Sequence, residues 1–480
     1  MPTEWLSAPD YTIARFIVGR GIAAIYLIGF VVVLRQFRPL LGERGLLPVP
    51  EFLLGTHLRT TPTIFQWHYS DRALVGVGWT GVALSVALVI GLGEAAPLPA
   101  TMLIWAVLWV LYLSIVNVGQ TFYAFGWESL LLEAGFLAIF LGNDTTAPPA
   151  LVLILYRWLA FRVEFGAGLI KMRGDSCWRD LTCLDYHHET QPMPNPLSWY
   201  FHRLPKRLHS LEVLGNHAAQ LVVPFGLFFP QPIAGVAAIY MILTQLYLVV
   251  SGNYAWLNWI TILIATAALP DTFFGALVPF AAPAYGEEAA WFVAAVIGLA
   301  VLVAFLSYWP VRNLLGRVQL MNYSFNPLHI VNTYGAFGSV TRHRDEVVVE
   351  GTLDADPSPS SEWREYAFKG KPGDLGRSPP QVAPYHLRLD WLMWFLPLSP
   401  GYGEVWFIRF VERLLLNDAP ILGLLRSNPF PDRPPATIRA RLYRYRYTTW
   451  SERRQTGAWW TREQIGEYLP AVSLRGAPGD

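Results

Sequence analysis

Charge is scarce in this chain. Of its 480 residues only 15% are Asp, Glu, Lys or Arg, against 53% apolar, and the net charge is +1. Soluble globular domains carry about 25% charged residues, so the deficit excludes an ordinary soluble fold and implies a membrane protein. The near-zero net charge provides no broad basic footprint for nucleic acid. Cysteine is scarcer still. Cys177 and Cys183 are the only two, too few for a disulfide scaffold, and their spacing matches neither a Cys-x-x-Cys redox pair nor a zinc pattern. There is no P-loop and no Gly-x-Ser-x-Gly, so nothing supports a serine hydrolase. A formal G-x-G-x-x-G at Gly76, Gly78 and Gly81 lies inside an apolar run, where it reads as close helix packing.

Aromatic residues and long apolar runs are abundant instead: 20 Trp, 22 Tyr and 27 Phe suit interfacial belts and a packed bundle. Runs near 12–34, 73–93, 99–118, 122–142, 150–172, 213–229, 233–251, 255–270 and 289–309 are long enough to span a core of about 30 Å. The sixth is short and opens on Glu212, Asn216 and His217, as a re-entrant or interfacial segment would. The composition predicts a polytopic α-helical membrane protein with eight or nine spans in 1–310, with long loops 35–72 and 173–212, and a C-terminal β-rich extramembrane domain in 311–480. Met1–Asp10 carries Glu4 and Asp10 rather than a basic n-region, so the first run is expected to stay. Beyond 310, segments 340–352, 362–369 and 436–449 read as strands rich in β-branched and aromatic residues. "RLYRYRY" within the last of these reads as a charged edge strand. Residues 385–395 place Leu387, Trp391, Trp394 and Phe395 on one face of an amphipathic helix.

Ionisable residues inside an apolar run are costly, about 2.5–3.5 kcal/mol each on insertion scales, so they face the interior or a cavity. In 150–172, Arg157, Glu164 and Lys171 are spaced by seven and share one helical stripe with Gly168, while Arg162 points elsewhere. Glu128 and Glu133 on the preceding run are the natural partners of this intramembrane polar stripe. Three readings stand: an ion-pair network that fixes packing, a functional polar cavity ending at Lys171, or snorkelling side chains. Just beyond, Cys177 and Cys183 pair if their face is oxidising and remain thiols if it is cytoplasmic. "DYHHET" (185–190) holds His187, His188 and Glu189 but lacks His-x-x-x-His spacing, so no metal ligand is assigned.

Several stretches together resemble the lipase maturation factor family: "QTFYAFGWESLLLEAGFLAIFLG" (120–142), "KMRGDSCWRDLTCLDYHHETQPMPNPLSWYFHRLP" (171–205), "SGNYAWLNWIT" (251–261), "NTYGAFGSVTRHRDEVVVEGT" (332–352) and "YHLRLDWLMWF" (385–395). The resemblance runs from about 10 to 460. It implies a membrane-bound assembly factor rather than a hydrolase, with no cofactor, a lipid bilayer around it, and an exported client such as a lipase. In animals such proteins sit in the endoplasmic reticulum membrane with the C-terminal domain in the lumen. The Arg/Ala/Gly-rich texture points instead to a bacterium and its cytoplasmic membrane. The loop 173–212 and the C-terminal domain are then expected to meet the client through Trp178, Tyr186, His187, His188, Trp199 and Trp391. The resemblance also places the Cys177 face outside the cytoplasm, where a Cys177–Cys183 disulfide is expected. Arg35, Arg38, Arg44, Arg59 and Arg72 favour the opposite orientation, a preference that weakens in long loops. A shorter stretch, "FGAGLIKMRGDSCW" (165–178), is similar to the membrane motif of vitamin-K-dependent carboxylases. That similarity implies an alternative enzyme using a quinone- or lipid-like substrate, with Lys171 as base beside Glu164 and a quinone/quinol cofactor.

Overall fold

The computed structural model describes residues 6–275, 283–398 and 404–474. The first apolar run folds as α1 (Thr12–Val32) and continues through a π turn (Val33–Phe37) to Leu41. The whole apolar helix, Pro9–Leu41, has 33 residues, or about 50 Å at 1.5 Å per residue. It outruns the hydrocarbon core, and its last turns carry Arg35 and Arg38. α2 (Asp71–Val89) starts where the Ser70 hydroxyl accepts the Ala73 N–H, a side-chain cap for an otherwise orphaned donor. α3 (Leu98–Val118) has proline in its first turn, where no intrahelical N–H is needed. α4 (Gly126–Ala138), α5 (Ala150–Arg173), α6 (Lys206–His217), α7 (Ile233–Ser251), α8 (Leu257–Ala265) and α9 (Ala290–Leu306) complete the bundle. Gly78 and Gly81 of α2 lie against Leu34 and Phe30, which brings α1 and α2 close together.

Five helices among the described residues are long and apolar enough to cross a membrane: Pro9–Leu41, Asp71–Val89, Leu98–Val118, Ile233–Ser251 and Ala290–Leu315. The expected eight or nine spans are therefore corrected to five. The reason is that apolarity in the other runs serves protein packing rather than lipid contact. α4 has 13 residues, about 20 Å, and nearly all of them are buried. Run 213–229 is interrupted by a π turn at Ala218–Val222 and by Pro224. α5 is long but too charged. The five spanning helices instead turn large apolar side chains outward, including Trp79, Leu103, Leu243 and Phe305, as a lipid-solvated surface requires.

Beyond the bundle, β1 (Arg344–Thr352), β2 (Arg364–Glu365), β3 (Thr437–Tyr447) and β4 (Trp460–Val472) form one antiparallel sheet in the order β2-β1-β3-β4. Val348 stands opposite Arg441 in the β1/β3 register. The C-terminal domain is mixed rather than simply β-rich. α10 (Arg388–Phe395) and α11 (Val405–Leu415) accompany the sheet, and Phe407, Phe410 and Leu414 of α11 pack in the same core as Val347, Val349, Ile438 and Ala440. β4 is an edge strand with Pro470 and register shifts against β3. The helix expected at 385–395 is present from Arg388 to Phe395, and Arg388 through Met393 are all buried.

α10 is buried because it is keyed into the bundle. Arg388 Nη2 lies 2.8 Å from Glu128 Oε1 on α4, and both side chains are fully enclosed. Arg388 Nη1 donates to the Phe122 carbonyl at 2.7 Å, and the Tyr112 hydroxyl donates to Glu128 Oε2 at 2.5 Å. Gln36, re-aimed by the π turn, donates to the His386 carbonyl at 2.7 Å and accepts the Arg388 N–H at 3.0 Å. Removing one partner of such a pair strands a buried charge, at a cost of about 3–5 kcal/mol. Arg388→Met is therefore expected to lower the melting temperature sharply in detergent, and Glu128→Leu combined with Arg388→Met to restore most of it. A single variant as stable as wild type would show that the pair does not hold the domain.

Candidate functional site: the buried polar core and the 173–212 loop

The charges on α5 divide among separate networks. Glu164 and Lys171 are joined through Gln220: the Lys171 ammonium donates to Gln220 Oε1 at 2.7 Å, and Gln220 Nε2 donates to Glu164 Oε2 at 3.1 Å. Gln245 of α7 donates to the other Glu164 oxygen at 2.6 Å, and Asn258 of α8 donates in turn to Gln245 at 2.6 Å. Gln220 sits in the π turn after α6, which presents it to both buried charges. Lys171 Nζ also lies 5.0 Å from the centre of the Trp178 ring.

Arg162 belongs to a second network. It pairs with Glu133 of α4 and donates to the Asn332 carbonyl at 2.6 Å. Glu133 Oε2 accepts from the Asn332 backbone and side chain, both at 2.9 Å, and from the Tyr334 hydroxyl at 2.8 Å. The chain that follows the last apolar helix is thus held by a carboxylate buried in the bundle. Gly166 permits this, because a Cβ there would collide with the Tyr334 carbonyl. Arg157 departs from the expected stripe. It is half-buried, donates to the Ala267 carbonyl at 3.2 Å and lies over Tyr11. Helical periodicity aligned Arg157 with Glu164 and Lys171, but a 24-residue helix meets different neighbours along its length. Likewise, Glu128 and Glu133 do not reach Glu164 or Lys171. They serve Arg388 and Arg162.

Past α5 the chain turns at Gly174, where a Cβ would strike the Gly338 carbonyl. The Asp175 N–H donates to that carbonyl at 2.8 Å, and the Trp178 indole donates to Phe337 O at 2.8 Å. The Asp175 carboxylate takes both Arg342 guanidinium nitrogens, at 2.7 and 2.9 Å, and caps the Cys177 N–H. The Arg342 hydrogen bonds hold its carboxyl down at about 2. Cys177 and Cys183 are joined as a disulfide, with Cα atoms 4.8 Å apart.

Of the six residues expected to meet a client, Trp178, His187, His188, Trp199 and Trp391 are buried, and Tyr186 is half-buried under Arg342. In this structure these side chains pack within the protein. Trp199 donates to the Thr448 carbonyl at 3.0 Å, and Trp391 stacks edge-on to Trp127 at 4.8 Å. A cluster that the local motif did not show brings His188 beside His209 and Glu212 of α6. The partners lie 21 and 24 residues downstream. The only local signal was the His-x-x-Glu spacing in α6, which puts both on one helical face. A cleft of about 1070 Å³ opens elsewhere, between the end of α1 and the C-terminal domain, and is lined by Arg35, Arg38, Arg44, Lys369 and Tyr385. Lys171 is not among its walls.

The fold and this core define an integral membrane protein whose extramembrane domain is keyed into its helices by buried carboxylates. A family model described as the lipase maturation factor transmembrane domain matches residues 13–276, and one described as the lipase maturation factor C-terminal domain matches 330–470. Lipase maturation factor 1 of Bos taurus is 42% identical over 521 residues, covering 99% of this chain and 91% of the relative. Lipase maturation factor 1 of Homo sapiens is 41% identical over 510 residues, covering 98% and 89%. Lipase maturation factor 2 of Homo sapiens is 29% identical over 593 residues, covering 95% and 82%. No solved structure matches. The chain belongs to the lipase maturation factor family.

The linker between the two halves carries a pH-sensitive group. His329 lies with Nε2 2.9 Å from Asn117 Oδ1 and Nδ1 2.8 Å from the Ser324 hydroxyl, and burial pushes its imidazole down to about 4. The unfolded chain, with a histidine near 6.5, binds the extra proton first. Stability from this site is therefore complete above about 6.5 and is lost as pH falls toward 4, by at most about 1.4 kcal/mol per pH unit. Melting temperatures taken from pH 7 to pH 5 are expected to fall less steeply in His329→Gln than in wild type. Equal slopes would contradict the assignment.

Proposed function

We propose that this chain is a membrane-bound maturation factor for exported proteins of the lipase class. It acts by binding and assembling them and performs no hydrolysis itself. The observation that supports this most is the match to both lipase maturation factor domain models together with 42% identity to lipase maturation factor 1 across 99% of the chain. Its loop 173–212 and C-terminal domain face away from the cytoplasm, into the endoplasmic reticulum lumen in a eukaryotic cell or outside the cytoplasmic membrane in a bacterium. The disulfide between Cys177 and Cys183 is consistent with that oxidising side.

The Glu164–Gln220–Lys171 chain serves packing in this reading. Lys171 is 5% exposed, with its ammonium bonded and its stem enclosed, so no substrate reaches it as it stands. A secreted lipase expressed in cells lacking their own maturation factor is expected to gain specific activity when this chain is supplied. A Lys171→Met/Glu164→Gln double variant, which removes both charges together, is expected to support the same gain. Lipase activity unchanged from empty vector would overturn the proposal. Loss confined to a double variant that folds and inserts normally would return a chemical role to the core. For orientation, Lys206→Cys, at an exposed position of the same loop, made in a Cys177→Ser/Cys183→Ser background, is expected to react with a membrane-impermeant thiol reagent applied to the non-cytoplasmic side of intact cells or sealed vesicles. Labelling only from the cytoplasmic side would reverse the topology.

A further inference from the structure

The 173–212 loop and α6 together enclose a group of polar atoms that the hydrogen-bond network leaves unused. His188 is 2% exposed, yet neither of its ring nitrogens has a hydrogen-bond partner. Glu212 Oε2, 4.0 Å from His188 Nε2, is buried and equally unpartnered. An N···O separation of 4.0 Å is too long for a hydrogen bond. Burying such atoms unsatisfied is costly, so a ligand that engages them is favoured. A third ligating group is alongside: one donor atom each from His188, His209 and Glu212 all lie within 4.8 Å of one another. The Tyr247 hydroxyl also faces Glu212.

The Asp185 carboxylate stands behind His209: its Oδ1 lies 3.0 Å from Nδ1, while Nε2 lies 3.0 Å from the Phe201 carbonyl. With Nδ1–H donating to Asp185, Nε2 becomes a ligand once it gives up the Phe201 carbonyl, the carboxylate–histidine arrangement that fixes ligand histidines. The donor set, two imidazoles and one carboxylate, suits zinc in a tetrahedral site with a fourth position open. Across such an ion neighbouring ligand atoms stand about 3.4 Å apart, so the donor atoms, now up to 4.8 Å apart, draw together by side-chain rotation on binding. Glu212 is half-buried, so the site has an entry path.

We propose that His188, His209 and Glu212 bind a divalent transition-metal ion, zinc by its donor set, with Asp185 as the positioning residue behind His209. His188 belongs to the short helix Leu184–Thr190, which follows directly on Cys183, and the other two ligands belong to α6. The ion therefore pins the disulfide-bearing loop to the bundle. This site is independent of any client.

The test uses the full-length protein in detergent, stripped with chelator and then titrated with Zn²⁺ or Co²⁺. One equivalent of zinc is expected to remain after desalting, with a rise in melting temperature, and Co²⁺ is expected to give the visible bands of a tetrahedral nitrogen–oxygen site. Asp185→Asn, which keeps the side-chain shape, is expected to weaken metal affinity about 10–100-fold. Glu212→Gln is expected to abolish stoichiometric binding without lowering the metal-free melting temperature. Absence of bound metal in wild type at micromolar Zn²⁺ would overturn the proposal, even if every variant failed to fold. Undiminished binding in a His188→Gln/Glu212→Gln double variant would place the metal elsewhere and overturn it equally.

Discussion

Glu128 and Glu133 stand on α4 inside the bundle, where neither water nor lipid headgroups can solvate a carboxylate. A charge in that position has to be paired and hydrogen-bonded or it unfolds its surroundings. Both find their partners in chain that lies more than 190 residues downstream. Glu128 takes Arg388 from α10, and Glu133 takes the backbone and side chain of Asn332 and the Tyr334 hydroxyl, with Arg162 neutralising it from α5. The two halves of the protein are therefore not joined merely by a linker. Glu133 is neutralised within the membrane half by Arg162, whereas Glu128 takes its cation, Arg388, from the docked C-terminal half.

The same constraint explains how much was legible in the sequence. Long apolar runs announced a membrane protein, and the five genuine spans are among those read. The other runs were misread because burial in protein and burial in lipid call for the same residue types. α4 is apolar on nearly every side yet too short to span, and only its glutamates hint that protein surrounds it. β1 and β3 were visible through β-branched and aromatic density. β4 was not, since "TREQIGEY" carries an edge strand's polar composition. α11 also went unread between loop-rich segments. Within the candidate site, the charges of α5 were located correctly as buried groups. Their partners were not, because two of the decisive ones, Gln220 and Gln245, are neutral residues, and Gln220 is placed by a π turn that no periodicity reveals.

The loop 173–212 shows a related limit. Its tryptophans and histidines resemble a recognition surface when viewed as a segment, since aromatic residues outside an apolar run are scarce in most loops. In the fold they meet 337–340 and the ends of β3 and β4, and the loop becomes a packed wedge closed by a disulfide and by the Asp175–Arg342 pair. Such a wedge has little freedom to open.

The most direct measurement of this account is amide hydrogen exchange on the full-length protein, comparing wild type with Glu133→Ala. If a buried carboxylate holds the chain after the last apolar helix, protection is lost across 329–340, including the Asn332 amide that donates to Glu133, while β1 and β3 stay protected because their ladder is independent of α4. Unchanged protection across 329–340 in the variant would show that the segment is held by other contacts and would contradict the central claim.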